Sequence, residues 1–140
     1  MTDTWDKAIE FVFKWEGGYT SNDNDPGGET KYGISKRAYP DLNIATLTPN
    51  EAKAIYKSDY WDKCGCDNLG YPWDIITFDS AVNCGPARAI NWLAETTTWQ
   101  DILLIRIFYY VTLAKKDQFK SFLRGWLNRT IDLFMLVRGA

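Results

Sequence analysis

The chain has 140 residues, 46% of them hydrophobic and 16% aromatic, enough for one compact domain with its own core and too apolar for a disordered chain. It contains no histidine, which excludes Ser-His and Cys-His nucleophile pairs and the common zinc hydrolases, and leaves chemistry to carboxylates, hydroxyls, thiols or lysine. The net charge of −2 is unevenly spread: residues 115–140 carry six basic side chains against Asp117 and Asp132, a net +4, which leaves −6 for the rest.

Trp5, Ile9, Val12 and Phe13 recur at helical spacing and predict a helix over Thr4–Glu16, with Thr4 as N-cap and Gly17-Gly18 as its end. Glu10 is expected to pair with Lys14 one turn on. Glu16 continues the apolar stripe 5-9-12-16, so its carboxyl sits on the semi-buried face of a helix end. Burial there favours the protonated form that a general acid needs.

Residues 19–33 are rich in turn formers, and short strands are predicted around Tyr19 and Thr30–Gly33 with a tight loop between. That loop carries Asp25, and Thr30 follows. An acid on a helix, then a carboxylate and a hydroxyl on a Gly-rich loop, is the pattern of a glycosidase site. A calcium loop begun at Asp23 fails, because Ile34 falls where a bidentate glutamate is required. No metal and no cofactor is expected.

Thr48-Pro49-Asn50-Glu51 is a capping box with proline at the first helical position, and starts a helix through about Tyr60 with Ala52, Ile55 and Tyr56 inward. Residues 61–73 read as irregular. A helix follows from Trp73 to Cys84, Gly85-Pro86 breaks it, and Pro86 opens another through Ala89, Ile90 and Leu93. Thr98 caps Trp99–Ala114, whose apolar residues leave hardly any polar face and predict a central core helix. Its most apolar run, Ile102–Leu113, is interrupted by Arg106 and too short to span a bilayer. A last helix opens near Asp117, with Phe119, Phe122, Leu123, Trp126, Leu127 and Phe134 expected to face in.

Cys64, Cys66 and Cys84 read as reduced structural thiols, with a link from Cys84 to Cys64 or Cys66 as the alternative after export. Tyr19 and Tyr32 are candidates for lining a sugar cleft, with core packing as the alternative. Asn83 is a candidate for bonding an N-acetyl group, with a helix cap before Gly85-Pro86 as the alternative.

In order along the chain stand Glu16-Gly17-Gly18-Tyr19, Asp25-Pro26-Gly27-Gly28-Glu29-Thr30 and Tyr32-Gly33-Ile34-Ser35. Further on come Leu47-Thr48 with Glu51-Ala52, Tyr60-Trp61, and Phe78-Asp79 with Ala81-Val82-Asn83 and Gly85. Together these resemble glycoside hydrolase family 108, the peptidoglycan-cleaving muramidases common as phage endolysins. Gly125-Trp126-Leu127-Asn128-Arg129 is similar to the peptidoglycan-binding module often attached to that domain.

The resemblance implies that Glu16 is the catalytic acid. It implies cleavage of the β-1,4 bond between N-acetylmuramic acid and N-acetylglucosamine, for lysis of the wall. A glutamate, an aspartate and a threonine at comparable spacings also occur in phage-type lysozymes, which assigns Asp25 and Thr30 to the catalytic set, though the step from Asp25 to Thr30 is slightly shorter here. The expected fold is α+β and mostly helical, a lysozyme-like domain with a small β-hairpin lobe beside a helical body. One domain spans 1–140, with a catalytic portion 1–94 and a helical, peptidoglycan-binding-like portion 95–140.

The rivals are a lytic transglycosylase using Glu16 alone, and a non-catalytic wall-binding or secretion-helper protein. The expected partner is the glycan strand and not nucleic acid, with weak contact to an anionic membrane or wall surface through 115–138 and a monomeric state. The N-terminus shows no secretory signal, which predicts synthesis in the cytoplasm, and the resemblance implies release to the wall through a holin.

Overall fold

The computed structural model describes residues 3–21 and 28–140; Asp25 lies outside the described residues. Helix α1 covers Asp3–Glu16 and ends where Gly17, at φ +73°, donates its N–H to the Phe13 carbonyl at 3.2 Å. A left-handed residue just past the last turn is the ordinary glycine stop. Thr4 lies within this helix, and its side chain bonds Asp74 instead of capping.

Strands β1 (Thr30–Lys31) and β2 (Ile34–Ser35) form an antiparallel hairpin, with Thr30 opposite Ser35 and Lys31 opposite Ile34. The two residues left over, Tyr32 at φ +52° and Gly33 at φ +80°, make the turn. Positive φ at both central positions is the turn whose twist matches the strands it joins. The hairpin therefore runs one turn later than its residues suggest: Tyr32-Gly33 is the turn, not the strand end. The expected pairing with the Tyr19 region survives as one bridge, Thr20 to Thr30, with N···O distances of 2.8 and 2.9 Å.

Helix α2 (Pro49–Tyr56) starts at the predicted capping box: Thr48 Oγ1 accepts from Glu51 N at 3.2 Å, and Glu51 Oε2 accepts from Thr48 N at 2.8 Å. It runs on into a π-helical stretch, Lys57–Asp62, and a short 3₁₀ turn follows at Cys66–Asn68. Helices α3 (Trp73–Cys84) and α4 (Pro86–Glu95) meet at Gly85, where φ is +97°. Then come α5 (Trp99–Leu113), capped by Thr98, a 3₁₀ segment Asp117–Phe122, and α6 (Leu123–Val137).

The central helix is α3, not α5. Every residue from Asp74 to Ala81 is buried, and α1, α4, α5 and the 57–68 segment pack around it. Phe78 anchors an aromatic cluster with Trp5 at 5.4 Å and Trp61 at 5.5 Å between ring centres. By contrast α5 exposes Leu104, Phe108 and Val111, while Arg106 is fully buried. In α6 the inward residues are Arg129, Thr130, Leu133 and Val137, whereas Phe134 and the preceding Phe122 are largely exposed. The expectation that both helices face the core with their aromatics holds for Trp99, Tyr110 and Trp126 and fails for Phe108, Phe122 and Phe134. Each helix is turned so that one arginine reaches a partner inside, since an unpaired buried charge costs more than an exposed phenylalanine. No helix among the described residues is long and apolar enough to cross a membrane. All three cysteines are buried free thiols.

Candidate active site

Glu16 is the last residue of α1, and its half-buried side chain is 24% exposed. It is not isolated on an apolar face, as its place in the stripe suggested. Oε1 accepts a hydrogen bond from Arg129 Nη1 at 2.7 Å, across 113 residues of sequence. Among the described residues Oε2 has no partner, and it is the oxygen left to meet a ligand.

Arg129 is held in turn. Its Nη2 donates to Asp79 Oδ1 at 2.7 Å, and Asp79 Oδ2 lies 2.7 Å from Arg106 Nη2. Asp79 and Arg106 are fully buried. Two guanidinium groups thus face two carboxylates, and the charges balance when Glu16 is ionised. Burial alone would raise the Asp79 carboxyl, but Arg129 and Arg106 outweigh it and hold it below the usual carboxylate range. Burial works against the charged form of both arginines, and the carboxylates overcome it.

The network continues outward. Arg106 Nε donates to the Tyr110 hydroxyl at 2.8 Å and Nη1 donates to Ser80 Oγ at 3.2 Å. Tyr110 donates to Asn83 Oδ1 and accepts from Cys84 Sγ at 3.4 Å. Asn83 is therefore no helix cap; its side-chain oxygen is engaged by Tyr110.

Above Glu16 sits the hairpin turn. A Cβ on Gly33 would fall 2.8 Å from Glu16 Cγ and also collide with the Tyr56 hydroxyl. Glycine is required here both for φ and for the approach of the backbone to the acid. The Tyr56 hydroxyl donates to the Tyr32 carbonyl at 2.6 Å, pinning the turn to α2. Burial, then the nearby charge of Glu16, push the Tyr56 phenol well above its usual range.

The remaining sequence candidates fall at different distances from this centre. Tyr32 is half-buried, with its ring 5.3 Å from Phe13, and its carbonyl fixes the turn. Thr30 is half-buried in β1 between Thr20 and Ser35. Tyr19 is 46% exposed and donates to Glu29 Oε2 at 2.7 Å. Lys14 pairs with Asp132 of α6 at 2.7 Å, not with Glu10, and Trp15 Nε1 donates to the same carboxylate at 2.8 Å. No group of three or more metal-binding side chains occurs among the described residues.

Sequence reasoning missed Arg129, Asp79, Arg106 and Tyr56 as members of the site. A signal was present for Arg106, which interrupts the apolar run from Ile102 to Val111, since a charge in such a place needs a partner of opposite sign.

Comparison with known proteins completes the picture. None of the curated proteins matches this chain. Among solved structures it is similar to SagA of Brucella abortus, with 27% identity and a TM-score of 0.80 over 97% of this chain and 94% of that one. The model of the family described as Glycosyl hydrolase 108 matches residues 9–85, which hold Glu16, the hairpin, Tyr56 and Asp79. With an acid at the tip of α1, a glycine turn laid over it and more than half its length matched by that model, this chain belongs to glycosyl hydrolase family 108, a family of peptidoglycan-degrading glycosidases.

Proposed function

We propose that the protein is a muramidase, hydrolysing the β-1,4 bond between N-acetylmuramic acid and N-acetylglucosamine. The observation that carries this reading is the setting of Glu16: one carboxylate oxygen tied to Arg129, the other without a partner among the described residues, at a half-exposed helix end under a glycine turn. Glu16 protonates the leaving oxygen. Negative charge then develops on its carboxylate, and the Arg129 guanidinium, already in place, stabilises it without reorganising. Asp79 and Arg106 hold that guanidinium from behind. Asp25 is the second carboxylate, acting on the oxocarbenium-like charge or on water, and Thr30 holds the water. The enzyme works on the wall after release from the cytoplasm, in lysis of the phage type.

The test is digestion of purified peptidoglycan by wild type and by Glu16→Gln, with fragments identified by mass spectrometry. Reducing muramic ends from wild type, and a loss of at least about 100-fold in the variant, are expected for removal of a general acid. 1,6-Anhydro ends would make the enzyme a lytic transglycosylase. Equal release from both proteins would remove Glu16 from the mechanism, and binding without release from either would leave a wall-binding protein.

A further inference from the structure

Beside the acid, the chain following α2 builds a second feature. Lys57–Asp62 is π-helical, a wider coil than the α-helix it continues, and such turns recur at functional sites. Its residues open onto a hollow of about 500 Å³ walled by Tyr39, Ser58, Asp59, Tyr60, Lys63 and Pro86. The volume is in the range of small-ligand sites. Glu16 is not on its wall; the connection runs through Tyr56, whose ring centre lies 5.5 Å from that of Tyr60. Burial first, and the charges of Asp59 and Glu16 after it, push the Tyr60 phenol up, so the acid is within electrostatic reach of this wall.

The wall is built, not incidental. The Tyr39 hydroxyl donates to Asp59 Oδ2 at 2.6 Å, which fixes the carboxylate and leaves Oδ1 without a partner among the described residues. Tyr60 is half-buried and offers an aromatic surface. Lys63 is exposed and has no ion-pair partner among the described residues. A flat apolar face, an oriented acceptor and an uncommitted ammonium suit a sugar ring that carries an acidic substituent.

Resting on the muramidase reading, we infer that the hollow between Tyr39 and the π-helical turn 57–62 is a glycan subsite. It takes an N-acetylhexosamine unit on Tyr60 and Asp59, with Lys63 reading the carboxylate of an attached peptide stem. Tyr39 acts through Asp59 and is a positioning residue.

The test is binding to the full chain carrying Glu16→Gln, which does not consume its ligand, by calorimetry with chitotetraose and with a peptide-bearing tetrasaccharide from peptidoglycan. Adding Tyr60→Ala is expected to weaken both ligands about tenfold. Adding the surface change Lys63→Glu is expected to weaken the peptide-bearing ligand about tenfold and chitotetraose less than about twofold. Unchanged affinities in both variants would overturn the subsite. Equal losses for both ligands in Lys63→Glu would overturn the reading of the stem carboxylate. Should Tyr60→Ala lower the melting temperature, Tyr39→Phe decides: the subsite requires weaker binding of both ligands, and wild-type affinity overturns it. Failure of the muramidase reading appears separately, in the fragments released by the unmodified enzyme.

Discussion

Arg129 does two things at once: it bonds Glu16 at the edge of the site and Asp79 inside the core. Its replacements should therefore separate. Arg129→Lys keeps a positive charge but cannot span both carboxylates with a planar fork, so a fall in kcat larger than the rise in KM is expected, with folding retained. Arg129→Ala leaves Asp79 short of a partner in the core, and a stability loss of about 3–5 kcal/mol is expected in urea unfolding. Equal kinetics for wild type and Arg129→Lys would show that the guanidinium does not position the acid. Gly33→Ala tests the other side of Glu16. Its φ of +80° and the 2.8 Å approach of a new Cβ to Glu16 Cγ predict a displaced carboxylate. Activity should fall about tenfold or more, with a stability loss of about 2–4 kcal/mol from the strained φ and the collision with Glu16 and Tyr56. At this scale the place of Glu16 at the end of α1 was legible because it closes an apolar stripe beside a glycine pair. Arg129 was not, because a basic residue in a basic region looks solvated until its partners 50 and 113 positions away are known.

Among the elements, those with a local chemical signal were readable and those fixed by distant packing were not. The Thr48–Glu51 box stands where it was expected, and Thr98 accepts from Asp101 N at 3.4 Å as the cap of α5. Thr48→Ala should lower the urea midpoint by the equivalent of about 1 kcal/mol, and an unchanged midpoint would mean the box contributes nothing to the fold. The hairpin gave a weaker signal. Its strands are two residues long, and its turn is Tyr-Gly, not the Asn-Gly pair that announces such turns. The tyrosine accepts φ +52° because its carbonyl is bonded by Tyr56 and its ring packs on Phe13. For α5 and α6, apolar residues on nearly every side hid which face turns inward. The buried arginines settle it, and the amphipathic stripe does not.

At the scale of the whole molecule, the buried charges tie the helices into one body. α1 contributes Glu16, α3 Asp79, α5 Arg106 and α6 Arg129, so the segment after residue 95 supplies two of the four groups. Asp79 has a folded pKa below its unfolded value near 3.9. The stability it contributes is therefore complete above that value and is lost as pH falls through the folded one. Urea midpoints should hold near neutrality and drop as pH falls below about 4. Asp79→Asn should be less stable than wild type at pH 7 and show a flatter acid limb; a parallel acid limb would place the sensitivity in other carboxylates.

The distance in sequence between Glu16 and Arg129 also has a consequence in time. Glu16 leaves the ribosome 113 positions ahead of the arginine that holds it. Until α6 is made, the acid has no Arg129 beside it and Asp79 has at most one of its two cations. A product terminated between Tyr19 and Arg129 would carry the whole Glu-Gly-Gly-Tyr signature and still lack the group bonded to its carboxylate. The partner of the acid arrives with α6, so a nascent chain that stops short of it holds the carboxylate unsupported.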